Sequence, residues 1–197
     1  MTAAFDALVL AGGRSSRMGG VGKLGLVVDG ETLLAHACAA VSDARRLVVV
    51  GPPGQPGTPD GAIGVQEDPP FAGPAAAMSV GLSVLGGDPA DRVVVLAGDV
   101  PRAREAVPAL LAACDQNPNA DGVVARSSDG HRQPLVAIYR RAALGAALAA
   151  HEPLANGSVM RVIADLRLVE IDIPDDVLAD VDTPADLQRL TEEPHHG

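Results

Sequence analysis

The stretch LAGGRSSRMGGVGKLGL, Leu10–Leu26, holds six glycines, two arginines and one lysine, and no acidic residue. It grows out of FDALVL (Phe5–Leu10), a short apolar run that reads as a buried first strand, which Ala-Gly-Gly then breaks into a turn. Successive glycines let backbone N–H groups approach an anion with no Cβ in the way, and Arg14, Arg17 and Lys23 are spaced to reach over its phosphates. No carboxylate stands between Asp6 and Asp29, although the whole chain carries a net charge of −10. Cations gathered behind one strand in so acidic a chain point to a bound polyanion rather than to a solvated loop.

Two familiar phosphate loops come close and fail. GVGKLG (Gly20–Gly25) has the glycine spacing of a dinucleotide fingerprint but does not directly follow the strand. It also mimics the end of a Walker A loop, which needs Gly where Arg17 stands and Ser or Thr where Leu24 stands. Leu24 cannot ligate magnesium. What is left is a strand, an Ala11-Gly12-Gly13 turn and basic side chains set behind it, which suits a triphosphate and its leaving pyrophosphate.

Outward from this loop, ETLLAHACAAVSDA (Glu31–Ala44) has helix-forming composition and RLVVVG (Arg46–Gly51) is a second, β-branched strand, so the segment is a βαβ unit. The Pro/Gly-rich GPPGQPGTPDG (Gly51–Gly61) is a surface loop before a short strand at Ile63–Val65. GPAAAMSVGLSVLGG (Gly73–Gly87) opens on a proline suited to a first helical turn and closes on glycines. RVVVLAGDVP (Arg92–Pro101) is a strand that ends at Asp99. Helices are expected near 104–116, 142–150 and 158–164, strands near 122–125, 134–139 and 166–173, and a last helix from the DTPADL cap at Asp182–Leu187. This alternation predicts a three-layer α/β fold, a mostly parallel Rossmann-like sheet with helices on both faces. Ligands of such sheets sit outside the carboxyl ends of the strands, which puts the Gly12-Gly13 turn and Asp99 on one edge.

A length of 197 residues fits one domain, taken as 1–190, with a tail at 191–197 expected to be disordered. Apolar residues make up 47% and aromatics 2%, so Ala, Val, Leu and Ile must fill the core and stacking on aromatics is a poor guess for ligand recognition. The acidic balance disfavours nucleic acid and anionic membranes as partners. The N-terminus lacks the basic start of a signal peptide and no apolar run reaches the roughly 18 residues of a membrane span, so a cytoplasmic location is expected. Cys38 and Cys114 are far apart in alanine-rich segments and read as buried, inert thiols. His36 and His151 fall on helices in structural or exposed roles, and His195 with His196 supply too few ligands for a metal.

LAGGRSSRMGGVGK resembles the N-terminal signature of the small nucleotidyltransferases and, within them, is most similar to the molybdenum cofactor guanylyltransferase family. EDPPFAGPAAAMSVGL (Glu67–Leu82), LAGDVP (Leu96–Pro101) and DVDTPADL (Asp180–Leu187) agree with that family in order and spacing, and DGHRQPLVAIYRR (Asp129–Arg141) resembles the stretch that faces the pterin. The resemblance implies a nucleotide-diphospho-sugar transferase type of fold. It implies that Leu10, Ala11, Gly12 and Gly13 contact the guanine nucleotide, that Lys23 holds its phosphates with help from Arg17, and that Asp68 lies near the nucleoside. Asp99 matches the magnesium-binding aspartate, with Asp182 as candidate second ligand or simply the N-cap before Thr183-Pro184. The alternative for Asp68 is a plain loop carboxylate before Pro69-Pro70, and His131, Arg132 and Gln133 either contact the pterin or are solvated. Gly51 and Gly22 depart from the family, which often has a polar residue near the base at the first and an acidic residue at the second.

The implied reaction is transfer of GMP from GTP to the terminal phosphate of molybdopterin, with release of pyrophosphate. A phosphate nucleophile is already anionic, so the chemical problem is charge: Mg2+ on Asp99 would bridge the reacting phosphates while Lys23 and Arg17 neutralise the others. Molybdenum-cofactor biosynthesis proteins or apoenzymes are the partners this implies. The alternatives are a CTP-dependent molybdopterin cytidylyltransferase, another small nucleotidyltransferase with a phosphorylated acceptor, or a non-catalytic nucleotide-binding protein that delivers the cofactor.

Overall fold

The computed structural model describes residues 3–12, 23–181 and Asp186. The chain opens with β1 (Phe5–Leu10) and, after a short 3-10 turn at Lys23–Gly25, continues with β2 (Val27–Val28), β3 (Glu31–Thr32), α1 (Leu33–Ala39), β4 (Leu47–Val50) and β5 (Ile63–Val65). Then come α2 (Pro74–Val84), β6 (Arg92–Ala97), α3 (Ala103–Gln116), β7 (Gly122–Arg126) and β8 (Arg132–Arg140). The last described elements are α4 (Arg141–Ala150), α5 (Val159–Val162), β9 (Leu168–Asp172) and α6 (Asp175–Leu178).

One sheet of seven strands has the order β5-β4-β1-β6-β8-β7-β9. β5, β4, β1 and β6 run parallel, with Leu10 in register with Val50 on one side and Ala97 on the other. β8 alone runs antiparallel to its neighbours β6 and β7, and β9 returns parallel to β7. The mostly parallel sheet expected from the alternation of elements is therefore present.

β1 is buried along its whole length because it has helices on both faces. Its side chains alternate with the period of a strand: Ala7 and Val9 pack with Leu34 of α1 and Leu110 of α3, whereas Leu8 and Leu10 pack with Met78 of α2 and Leu144 of α4. Aliphatic side chains dominate both layers, as the scarcity of aromatics demands. α2 approaches the sheet through Gly81, where a Cβ would lie 3.0 Å from Val50 Cγ2 and 3.1 Å from Leu8 Cδ2.

The helix expected over Glu31–Ala44 is shorter than its composition suggests. Glu31 and Thr32 instead pair with β2 in a small hairpin whose turn, Asp29-Gly30, has positive φ angles of 50° and 85°. Thr32 then caps α1, its hydroxyl accepting from Ala35 N–H at 3.1 Å, and the chain leaves the helix through turns after Ala39. α6 was not foreseen, since four residues are too few to show a period. The helix read from DTPADL lies outside the described residues except for Asp186, which is helical. Cys38 and Cys114 are buried and unpaired, and burial pushes the Cys38 thiol up to about 11. His36 Nε2 lies 2.9 Å from Val28 O and His151 Nδ1 2.9 Å from Ala147 O, both main-chain contacts. Among the described residues no helix is long and apolar enough to cross a membrane.

Candidate active site

The carboxyl end of β1 stays tied to both neighbouring strands as it leaves the sheet. Ala11 N–H donates to Val50 O at 2.7 Å, and Gly98 N–H donates to Leu10 O at 3.0 Å. The fit between β1 and β4 leaves no room for a side chain at Gly51, where a Cβ would stand 2.6 Å from Ala11 O. Above these strand ends opens a cleft of about 1150 Å3.

Leu10, Ala11 and Gly12 form part of its lining, and Lys23 enters it from the 3-10 turn that follows the glycine-rich loop. Asp99 enters from the end of β6, held there partly because Val181 N–H donates to Asp99 O at 3.1 Å. Lys23 Nζ and Asp99 Oδ2 lie 2.8 Å apart, with side-chain exposures of 17% and 26%. A cation and a carboxylate from distant parts of the chain thus meet, partly shielded from water, where the fold class places its ligands. Asp180 lines the same cleft.

Other expected residues fall elsewhere. Asp68 is exposed and is not part of the cleft lining, while its neighbour Glu67 is buried in the wall. Glu67 Oε1 accepts from Phe71 N–H at 3.0 Å, and Glu67 Oε2 is buried without a partner. Of the 131–133 segment only Gln133 lines the cleft; His131 is exposed and paired with Asp129 at 2.8 Å, and Arg132 holds Glu170 at 2.5 Å. Gly13, Arg14, Arg17 and Asp182 lie outside the described residues.

Asp180 escaped the sequence reading, which named Asp182 instead, and so did Gln55, Glu67 and Phe71. Gln55 belongs to the Pro/Gly-rich loop read as plain surface, yet its Nε2 donates to Ala11 O at 2.6 Å. Glu67 stands beside Asp68, and nothing in the sequence says which of two adjacent carboxylates turns inward. Phe71 lines the cleft at 39% exposure with a φ of 62°, an aromatic in a position where low aromatic content argued against one.

For a divalent cation the described residues offer no cluster of three or more His, Cys, Asp or Glu. Magnesium does not need one: it takes hard oxygen ligands, keeps several waters and is satisfied by one or two carboxylates plus substrate phosphates. The carboxylates of Asp99 and Asp180 in one cleft fit that requirement.

The sequence matches the family model of the MobA-like NTP transferase domain over residues 7–171. A molybdenum cofactor guanylyltransferase of Bradyrhizobium sp. (strain ORS 278) is 35% identical over 144 residues, 70% of this chain and 67% of that protein. One of Shewanella sp. (strain MR-4) is 27% identical over 199 residues, 98% of each chain. The solved structure of molybdopterin-guanine dinucleotide biosynthesis protein A from Archaeoglobus fulgidus superposes with a TM-score of 0.69 at 19% identity, covering 95% of this chain and 97% of that one, which speaks for the fold. With the end of β1, Lys23 and Asp99 gathered at one sheet edge, the chain belongs to the MobA-like NTP transferase domain family.

Proposed function

We propose that the protein transfers GMP from GTP to the terminal phosphate of molybdopterin, releasing pyrophosphate, with Mg2+ as cofactor. The observation that carries this reading is the Lys23–Asp99 pair at 2.8 Å in the cleft over the ends of β1 and β6. Both substrates are polyanions, so the protein must supply compensating charge without presenting an anionic wall to the phosphates.

Asp99, with Asp180 of the same cleft or Asp182 as the second ligand, would hold the metal, which would supply positive charge against the reacting phosphates. Lys23 leaves Asp99 for the phosphates of the entering triphosphate and stabilises the charge that grows on the leaving pyrophosphate. Arg17 assists from the same loop, and the Ala11-Gly12-Gly13 main chain orients the nucleoside. Gln133, on β8, lines the same cleft, and to it we assign contact with the acceptor. The attacking phosphate oxygen is already ionised and requires no general base.

The test is incubation with each of the four labelled nucleoside triphosphates, Mg2+ and molybdopterin, following pyrophosphate. Release with GTP alone is expected. Release with CTP instead of GTP moves the protein to cytidylyl transfer, and nucleotide binding without release in the presence of the acceptor makes it a delivery protein.

A further inference from the structure

The cleft has two chemically different ends. Among the described residues the one cation in its lining is Lys23, which sits with Asp99 at the end of β6. On the other side of β1, beyond the end of β4, stand Gln55 and the buried carboxylate of Glu67. Strands in a sheet lie about 4.8 Å apart, so β4 and β6 are separated by roughly 10 Å, the span from a nucleobase to its phosphates. Phosphates go to Lys23, the cation at the β6 end. The heterocycle is left with the Gln55 end.

Gln55 is fixed there with a defined orientation. Ala11 O can only accept, so the amide atom 2.6 Å from it is the nitrogen, and Gln55 Oε1 must point the other way. Among the described residues Oε1 takes no hydrogen bond, while Nε2 fills the space beside Gly51: a Cβ built on that glycine would come within 2.8 Å of it. The missing side chain at Gly51 and the presence of the Gln55 amide are one arrangement. An acceptor held in one orientation and left without a partner suits a base edge with adjacent donors. Guanine, with N1–H beside its 2-amino group, has that edge; adenine and cytosine offer a single amino group next to a ring acceptor.

We infer that Gln55 is the residue that selects the nucleobase, its fixed Oε1 accepting from the N1–H and 2-amino edge of guanine. The inference rests on the reading that the cleft binds a nucleoside triphosphate, and binding rather than turnover tests it. Calorimetric titration with GTP, inosine triphosphate (which lacks the 2-amino group) and 7-deaza-GTP (which keeps it), in Mg2+, is run on the wild-type protein and on Gln55→Leu. GTP and 7-deaza-GTP are expected to bind alike and about tenfold tighter than inosine triphosphate, since a site built around an N–H rejects the analogue lacking it. Gln55→Leu is expected to bring GTP and inosine triphosphate together within roughly twofold, once the hydrogen bond is lost. Equal binding of GTP and inosine triphosphate by the wild type overturns the inference even if the variant fails to fold, and so does a folded Gln55→Leu that keeps the wild-type ratio. GTP bound without discrimination overturns only the role of Gln55, whereas no binding of any nucleotide overturns the reading of the cleft as well.

Discussion

Lys23 and Asp99 are 76 positions apart in the chain and 2.8 Å apart in space, each largely shielded. In the free protein each neutralises the other; in the proposed reaction the lysine serves the phosphates and the aspartate the cation. Asp99→Ala is therefore expected to lower the rate of pyrophosphate release by about a hundredfold or more, the usual loss when one group that stabilises developing charge is removed. If the variant retains wild-type activity and wild-type Mg2+ dependence, Asp99 is not the metal ligand. Gly51 makes a different demand, because its missing Cβ would stand 2.6 Å from Ala11 O, a backbone atom that cannot yield without moving β1. Gly51→Ala is expected to cost about 1–3 kcal/mol, as overpacking does, and to weaken GTP binding by displacing Ala11; denaturant unfolding and titration check the two effects. Lys23 and Asp99 were legible in the sequence because a glycine-rich loop with cations and a strand-end carboxylate each carry a chemical reason of their own. Gln55 and Glu67 were not, because an amide in a Pro/Gly-rich loop and one of two adjacent acids become informative only when the fold shows which way they turn.

The elements were legible where a run of β-branched or helix-forming residues was long, as in β1, β6 and α3, and illegible where a local side chain decided the boundary. α1 is the example: Thr32 takes the cap, so the helix begins two residues after the start its composition suggests and ends at Ala39. Thr32→Ala is expected to destabilise the protein by about 1 kcal/mol and to speed amide exchange in α1, the ordinary effect of losing an N-cap. The antiparallel course of β8 was equally hidden, since strand direction leaves no mark in composition. At the β7–β9 edge the structure shows ion pairs: Arg126 with Glu170 and Asp172, Arg132 with Glu170, and Arg167 with Asp121. Hydrogen bonds from these arginines hold Glu170, Asp172 and Asp121 below their usual values, and Ser127 and His131 hold Asp129 at about 2. A carboxylate depressed in the folded state stabilises it above the ordinary carboxylate range, and that stabilisation is lost as pH falls through the lowered value. Amide protection in β7 and β9 is therefore expected to weaken as pH drops below about 4, modestly and less so in high salt because the pairs are exposed.

The whole molecule separates stability from chemistry by putting them at different heights of one sheet. Two aliphatic layers on opposite faces of β1 hold the strands, and the cleft lies past their carboxyl ends, where turns and single side chains supply the charge. That division predicts opposite behaviour for two substitutions. Leu8 is fully buried between β1 and α2, against Gly81, so Leu8→Ala leaves a cavity and is expected to cost about 2–5 kcal/mol. Leu8 is not itself part of the cleft lining, so GTP with Mg2+ should still raise the variant's melting temperature by the wild-type increment; at a hundredfold excess over Kd that is about 2.7 kcal/mol of linkage. Asp99→Ala, with the core intact, should lose most of that increment whatever its own melting temperature. Thermal unfolding of both variants, with and without GTP and Mg2+, reads the four values directly. An increment lost in Leu8→Ala but kept in Asp99→Ala would mean that the nucleotide is held by the packing of the sheet and not by the charged edge above it.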